Sequence, residues 1–96
     1  MQLVLLAEIP ETTPVEKLSP LLKPESLRAW ELYAAGTFRW ILARGDKRGV
    51  VAMIEAKALA EAKSAVDSLP LVKEGMLETH LIPCTPYTGF ERLFAK

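Results

Sequence analysis

One cysteine and one histidine stand in the 96 residues of this chain, and neither sign of charge prevails. The lone Cys84 excludes an intrachain disulfide, which suits a reducing cytoplasm. Lys plus Arg equals Asp plus Glu, 12 of each, so the basic excess of a nucleic-acid binder is missing. The longest wholly apolar run near the N-terminus, Leu3 to Ala7, is too short for a membrane span or a signal-peptide core. Gln2 and Glu8 flank it without a basic stretch. No His, Cys, Asp and Glu cluster has metal-ligand spacing. The Gly45 to Gly49 segment is too short for a phosphate-binding loop and does not lead into a helix. Repeats, low-complexity tracts and linkers are absent from the sequence. The expectation is a single cytoplasmic domain over residues 1–96, with its core at about 2–83, and with no metal, cofactor, nucleic acid or membrane partner.

Half the residues are hydrophobic, and their spacing is ordered. Gln2 to Glu8 is a continuous apolar run of the length of a central strand, closed by Ile9-Pro10. Thr13-Pro14-Val15-Glu16 has the form of a capping box that opens a short helix, which Pro20 is expected to interrupt. A second helix is predicted from Pro24 to Ala35, with Leu27, Trp30 and Ala34 on one face and Gly36 as its terminator. Thr37 to Arg44 and Val50 to Glu55 read as paired strands joined by the polar turn Gly45 to Gly49. Leu59, Ala62, Val66 and Leu69 mark an amphipathic helix over about Ala58 to Leu69. Met76 to Ile82 reads as the last strand, stopped by Pro83. The tail of residues 84–96 carries Tyr87, Phe90 and Phe94, and is expected to pack on the domain or on a neighbouring subunit.

This order is βαββαβ, an α+β sandwich of the ferredoxin-like kind with a four-stranded antiparallel sheet. Right-handed crossovers put both helices on one face and leave the other bare. A bare face binds nucleic acid, stacks on a second sheet or lines a pocket. The central strands carry no aromatic residues for stacking bases. Apolar strands favour stacking of two sheets from two subunits, a homodimer or a higher oligomer, with a cleft at each end.

Alternation puts Glu78 and His80 on the bare face of the last strand, a carboxylate beside an imidazole. Such a pair can move protons near neutral pH; it can equally be a hydrogen-bonded interface pair. Glu55 closes an apolar strand, where burial would raise its pKa and make it an acid or base. It can also be a solvated charge or a helix cap. Arg39 is grouped with Ile41 and Ala43, and Arg44 with Phe38, Trp40 and Leu42, so one arginine at most enters a cleft to clamp a carboxylate. Either can instead be a charge that guards an edge strand. Trp40 and Phe38 line a pocket or pack in the core, and Tyr87 folds over a cleft or lies on a neighbour. Cys84 lacks an activating partner and reads as an inert small side chain.

Four segments carry a family resemblance: Glu31-Leu32-x-x-x-Gly36, the following Thr37-Phe38-Arg39-Trp40, the strand end Ile54-Glu55, and Leu69-Pro70-Leu71 before the last strand. In their order and spacing over Leu3 to Pro83 the chain resembles the muconolactone isomerase-like group of the dimeric α+β barrel superfamily. The resemblance implies a ferredoxin-like protomer, and two sheets stacked into a dimeric barrel. It also implies a cofactor-free isomerase acting on a small carboxylic acid or lactone. Within it His80, Glu55 and Glu78 are the catalytic candidates, and Arg39, Arg44, Trp40 and Tyr87 the candidates for binding a small acidic or aromatic substrate. The superfamily also hosts cofactor-independent monooxygenases and proteins of no assigned role. A non-catalytic ligand-binding or assembly module is therefore the alternative.

Overall fold

The computed structural model describes residues 1–95. Strand β1 (Gln2–Glu8) leads into helix α1 (Val15–Ala34), then strands β2 (Phe38–Ala43) and β3 (Gly49–Glu55), helices α2 (Leu59–Asp67) and α3 (Pro70–Lys73), strand β4 (Glu78–Cys84) and a 3₁₀ turn at Gly89–Leu93. The four strands form one sheet in the order β2-β3-β1-β4, antiparallel throughout. This is the ferredoxin-like α+β arrangement. Among the described residues no helix is long and apolar enough to cross a membrane.

The register sorts the side chains into two faces. Leu3, Leu5 and Ala7 of β1 lie opposite Ile54, Ala52 and Val50 of β3, and opposite Pro83, Leu81 and Thr79 of β4. Leu3, Leu5, Ala52 and Ile54 are fully buried, packed with Leu18 and Leu32 of α1, Ala62 and Val66 of α2, and Leu69 and Leu71. No polar or charged side chain is buried with them among the described residues. Burying side chains of this size contributes about 1.5–3 kcal/mol each.

The helical region after β1 departs from the sequence expectation. It is one helix of 20 residues that runs through Pro20 and Pro24. A helix-interior proline costs about 3 kcal/mol, because it leaves the carbonyl four residues earlier without a donor. Both prolines are exposed and stand one turn apart, on the solvent side of the helix, where carbonyls can tilt outward to water. The unbroken helix sets its own phase. Leu18 and Leu32 are buried, with Leu21 and Ala29 packed beside them, while Leu27, Trp30 and Tyr33 are exposed. The stripe expected on Leu27, Trp30 and Ala34 is thus not the core face. The capping box also does not form: Pro14 is the N-cap and no side chain bonds there.

Strand β2 contains an irregularity between Phe38 and Trp40. One extra residue, Arg39, shifts the alternation. Phe38 therefore turns into the core, 1 % exposed, instead of sharing a face with Trp40, Leu42 and Arg44. At the other edge β4 begins two residues later than expected and continues through Pro83. An edge strand accommodates a proline when its missing N–H faces away from the neighbour.

Two tertiary contacts hold the connections. Arg48 donates from Nη2 to the carbonyl oxygens of Pro10 and Thr13 and so pins the β1–α1 loop. Glu25 of α1 accepts a 2.9 Å hydrogen bond from the Leu71 N–H at the start of α3, satisfying a donor that helix geometry leaves open. Gly49 opens β3 with φ 155°, and a Cβ there would stand 2.0 Å from the Ala7 carbonyl oxygen.

Gly49→Ala is expected to destabilise the fold by about 2–4 kcal/mol, through backbone strain and collision with β1; an unchanged urea midpoint would remove this account of the β1–β3 approach. Burial raises the Glu25 pKa, opposed more weakly by the Leu71 N–H. The folded chain thus holds that proton more tightly than the unfolded chain, so this contribution is full below the ordinary glutamate range and is lost as pH rises through the folded-state value. Glu25→Gln keeps an acceptor for Leu71 and removes the titration. Its stability should gain on the parent as pH rises from ~4 to ~7. Parallel stability–pH curves for the two chains would contradict the assignment.

Candidate active site on the open sheet face

The side chains that alternate with the core make the open face, and the pairing arranges them in rows. Val4 stands between Met53 and Ile82, and Leu6 between Val51 and His80. On β2, Trp40 pairs with Met53 and Leu42 with Val51. The centre of the face is therefore apolar. Its two ends are polar. At one end Glu8 lies opposite Glu78 and Gly49, and the Arg44 N–H bonds the Gly49 carbonyl. At the other end Gln2 lies between Glu55 and Cys84.

The Glu8 end forms a groove of about 360 Å³ lined by Leu6, Glu8, Arg44, Lys47, Glu78, Thr79 and His80. Glu78 and His80 both line it, two residues apart on β4, and both are exposed. Glu8 and Glu78 are like charges directly across a strand pair, an arrangement that opposes pairing. Lys47 offsets part of it, with its Nζ 3.2 Å from Glu8 Oε2. Arg44 is held in a fork by Asp46: Nε donates to Oδ1 at 3.0 Å and Nη2 to Oδ2 at 2.8 Å. The hydrogen bond from Arg44 is the main cause that lowers the Asp46 pKa, and the same bond raises that of Arg44.

The other sequence candidates lie apart. Glu55 is at the opposite end of the sheet, 3.9 Å from the N-terminal ammonium. Leu6, the partner of His80, and Gln2, the partner of Glu55, are four residues apart on β1, roughly 13 Å along the strand. Arg39 is exposed at the bulge, with its guanidinium beside Gly36 at the C-terminal end of α1, where a cation meets the negative end of the helix. It faces neither end of the open sheet. Trp40 lines a separate groove at the β2 edge with Trp30, Tyr33 and Ile41. Tyr87 is in the tail, packed edge-to-face on Phe90 at 4.9 Å. Sequence reading missed Glu8 and Lys47. Alternation along β1 signals Glu8, but its meeting with Glu78 needs the register, and Lys47 sits in a turn whose side-chain directions no periodicity reports.

Among the described residues no three His, Cys, Asp or Glu side chains are grouped to hold a metal ion. The groove itself brings together an imidazole, two carboxylates and two cationic side chains beside an apolar floor. That set can hold a small anion and move a proton on it.

No family model matches the chain, and no curated protein matches it by sequence. Solved structures do match. One is 5-chloro-2-hydroxyhydroquinone dehydrochlorinase from Burkholderia phenoliruptrix AC1100, in complex with 2,5-dihydroxybenzoquinone. It has a TM-score of 0.74 at 14% identity, over 93% of this chain and 98% of that one. Another is muconolactone isomerase, with a TM-score of 0.75 at 15% identity, over 92% of each chain. Backbone likeness at such low identity carries the architecture and leaves the chemistry to the side chains. The chain has a muconolactone isomerase-like fold.

Proposed function

We propose that the chain is a cofactor-free isomerase that shifts a proton on a small, partly apolar carboxylic acid or lactone. The observation that carries this reading is the groove where His80, Glu78 and Glu8 stand with Lys47 and Arg44 at the end of an apolar face. The two solved structures of the same architecture are, by name, an isomerase of a lactone and a dehydrochlorinase of a hydroquinone.

In this reading His80 takes a proton from a carbon next to the substrate carbonyl. Glu78 stabilises the imidazolium, and the proton returns to another carbon of the same conjugated system. Lys47 holds the substrate carboxylate. It must exchange Glu8 for it, and an exposed ion pair is worth only about 0–1 kcal/mol, so the exchange is easy. Arg44, already forked to Asp46, contributes field more than a direct bond. Leu6 and the apolar centre receive the carbon skeleton.

The surface of exposed Ile82, Leu42 and Trp40 around half-buried Val4 and Met53 supports a homodimer formed by stacking two open faces, in the cytoplasm where the single Cys84 stays reduced. A twofold axis lying across the strands would set the Glu55 end of one protomer over the His80 end of the other. Glu55 would then join the groove from the partner. The same face also suits a non-catalytic assembly protein, whose groove binds without turnover.

The reading is tested by proton exchange in D₂O, followed by NMR on a panel of unsaturated lactones and small aromatic carboxylates. Carbon-bound proton exchange above the buffer rate is expected for at least one class, falling about 10²–10⁴-fold in His80→Asn. Exchange at the buffer rate across the panel, with binding intact, favours the assembly protein. A separate expectation concerns the face. Met53→Glu puts a charge at its apolar centre and should reduce the sedimenting mass from dimer to monomer; a parent chain that sediments as a monomer would end the stacking proposal.

A further inference from the structure

The turn between β2 and β3 supplies both cations of the His80 groove, Arg44 at its start and Lys47 near its centre. Little within the turn itself holds its shape. Gly45 and Gly49 stand at its ends, no atom crowds Gly45, and Asp46 and Lys47 are exposed. It is nevertheless anchored on both sides of Lys47. On one side the Arg44 fork grips Asp46 at 3.0 and 2.8 Å. On the other stands Arg48, half-buried. Its Nη2 donates to the Pro10 carbonyl and, at 3.1 Å, to the Thr13 carbonyl. The Arg48 carbonyl accepts the Ile9 N–H at 2.8 Å.

The segment that receives these bonds is stiff. Pro10 and Pro14 each fix a φ angle of the β1–α1 loop, and the Thr13 N–H closes a turn on the Pro10 carbonyl at 3.0 Å. Bonds from a guanidinium are roughly twice as strong as neutral ones. Arg48 thus fastens a turn with glycine ends to a loop with proline ends. Lys47 is the residue before this anchor, and its Nζ stands 3.2 Å from Glu8 Oε2. Glu8 is the residue before Ile9, which the Arg48 carbonyl holds. One residue therefore steadies the backbone beneath both members of the Lys47–Glu8 pair.

We infer, resting on the reading of the groove as an anion site, that Arg48 is a positioning residue for that site. It does not line the groove and acts by holding Lys47 where a carboxylate can take the place of Glu8. A lysine on a loose turn loses conformational freedom at each binding event. The clip to Pro10 and Thr13 removes that cost beforehand.

The test uses two variants and two probes. Arg48→Met keeps an apolar stem and removes the donors, whereas Arg48→Lys keeps a charge and donors for both carbonyls. Benzoate and its uncharged counterpart benzamide are titrated against the full chain by NMR, and urea unfolding checks that each variant is folded. Arg48→Met is expected to weaken benzoate about 3–5-fold and to leave benzamide unchanged. Arg48→Lys should recover most of the loss. Backbone order parameters over residues 45–48 should fall in Arg48→Met from about 0.85 toward about 0.6. In a Lys47→Met background, Arg48→Met should cost benzoate nothing further, because the two residues act as a unit. If Arg48→Met does not fold, Arg48→Gln takes its place with the same expectations. Unchanged benzoate affinity overturns the role, and so does an equal loss for benzamide. Additive losses with Lys47→Met also overturn it, since Arg48 then acts through its own charge. A parent chain that does not bind benzoate brings down the anion site and this role together, a failure seen before any substitution is made.

Discussion

Both crossovers carry their helices to the same side of one sheet, and that one-sidedness governs the rest of the molecule. Leu3, Leu5, Ala52 and Ile54 disappear completely beneath α1 and α2, while the residues that alternate with them are left outside. A strand at the centre of a sheet cannot bury one set of side chains without presenting the other. In many half-exposed sheets that second set is polar. Here it is apolar in the middle, with Val4, Leu6, Val51 and Met53 on the two central strands, and charged only at its ends. The polar groups are thereby confined to the rims of a hydrophobic surface, where they can meet a substrate that has both kinds of chemistry.

The charged rim near His80 is under tension. Glu8 and Glu78 face each other across β1 and β4, and only Lys47 stands against them as an ion-paired cation. Arg44 is committed to Asp46 through two hydrogen bonds. All these groups have access to water, so none is locked by burial, and the partners can be exchanged at small energetic cost. A buried network would hold its geometry but resist a ligand; this one is loose enough to accept an anion in place of Glu8. The same looseness separates the groove from Glu25, whose half-buried carboxyl serves to tie α1 to α3.

Much of this organisation is legible in the sequence, and the exceptions have physical causes. The strand order, the turn at Gly45 to Gly49 and the placing of Glu78 with His80 follow from alternation and from right-handed crossovers. Phe38 escapes that reading because a bulge at Arg39 inserts one residue without any glycine or proline to announce it. Pro20 and Pro24 escape it because a helix breaker is a local cost. Here it is met on the solvent side and outweighed by the burial of Leu18 and Leu32 along the same helix. Glu55 stands beside His80 among the candidates because it closes an apolar strand, but a sheet face is two-dimensional. Periodicity gives the side of the sheet and says nothing of position along it; only the β1 register separates the two ends.

The open face poses a symmetry problem of its own. Stacking two open faces is isologous: each copy offers the same patch, and the contact closes on itself. A chain of zero formal net charge brings little repulsion to oppose contact between copies. In such a stack the apolar centre would lie between the two sheets, and the Glu8–His80 groove at the rim would be covered by the facing copy.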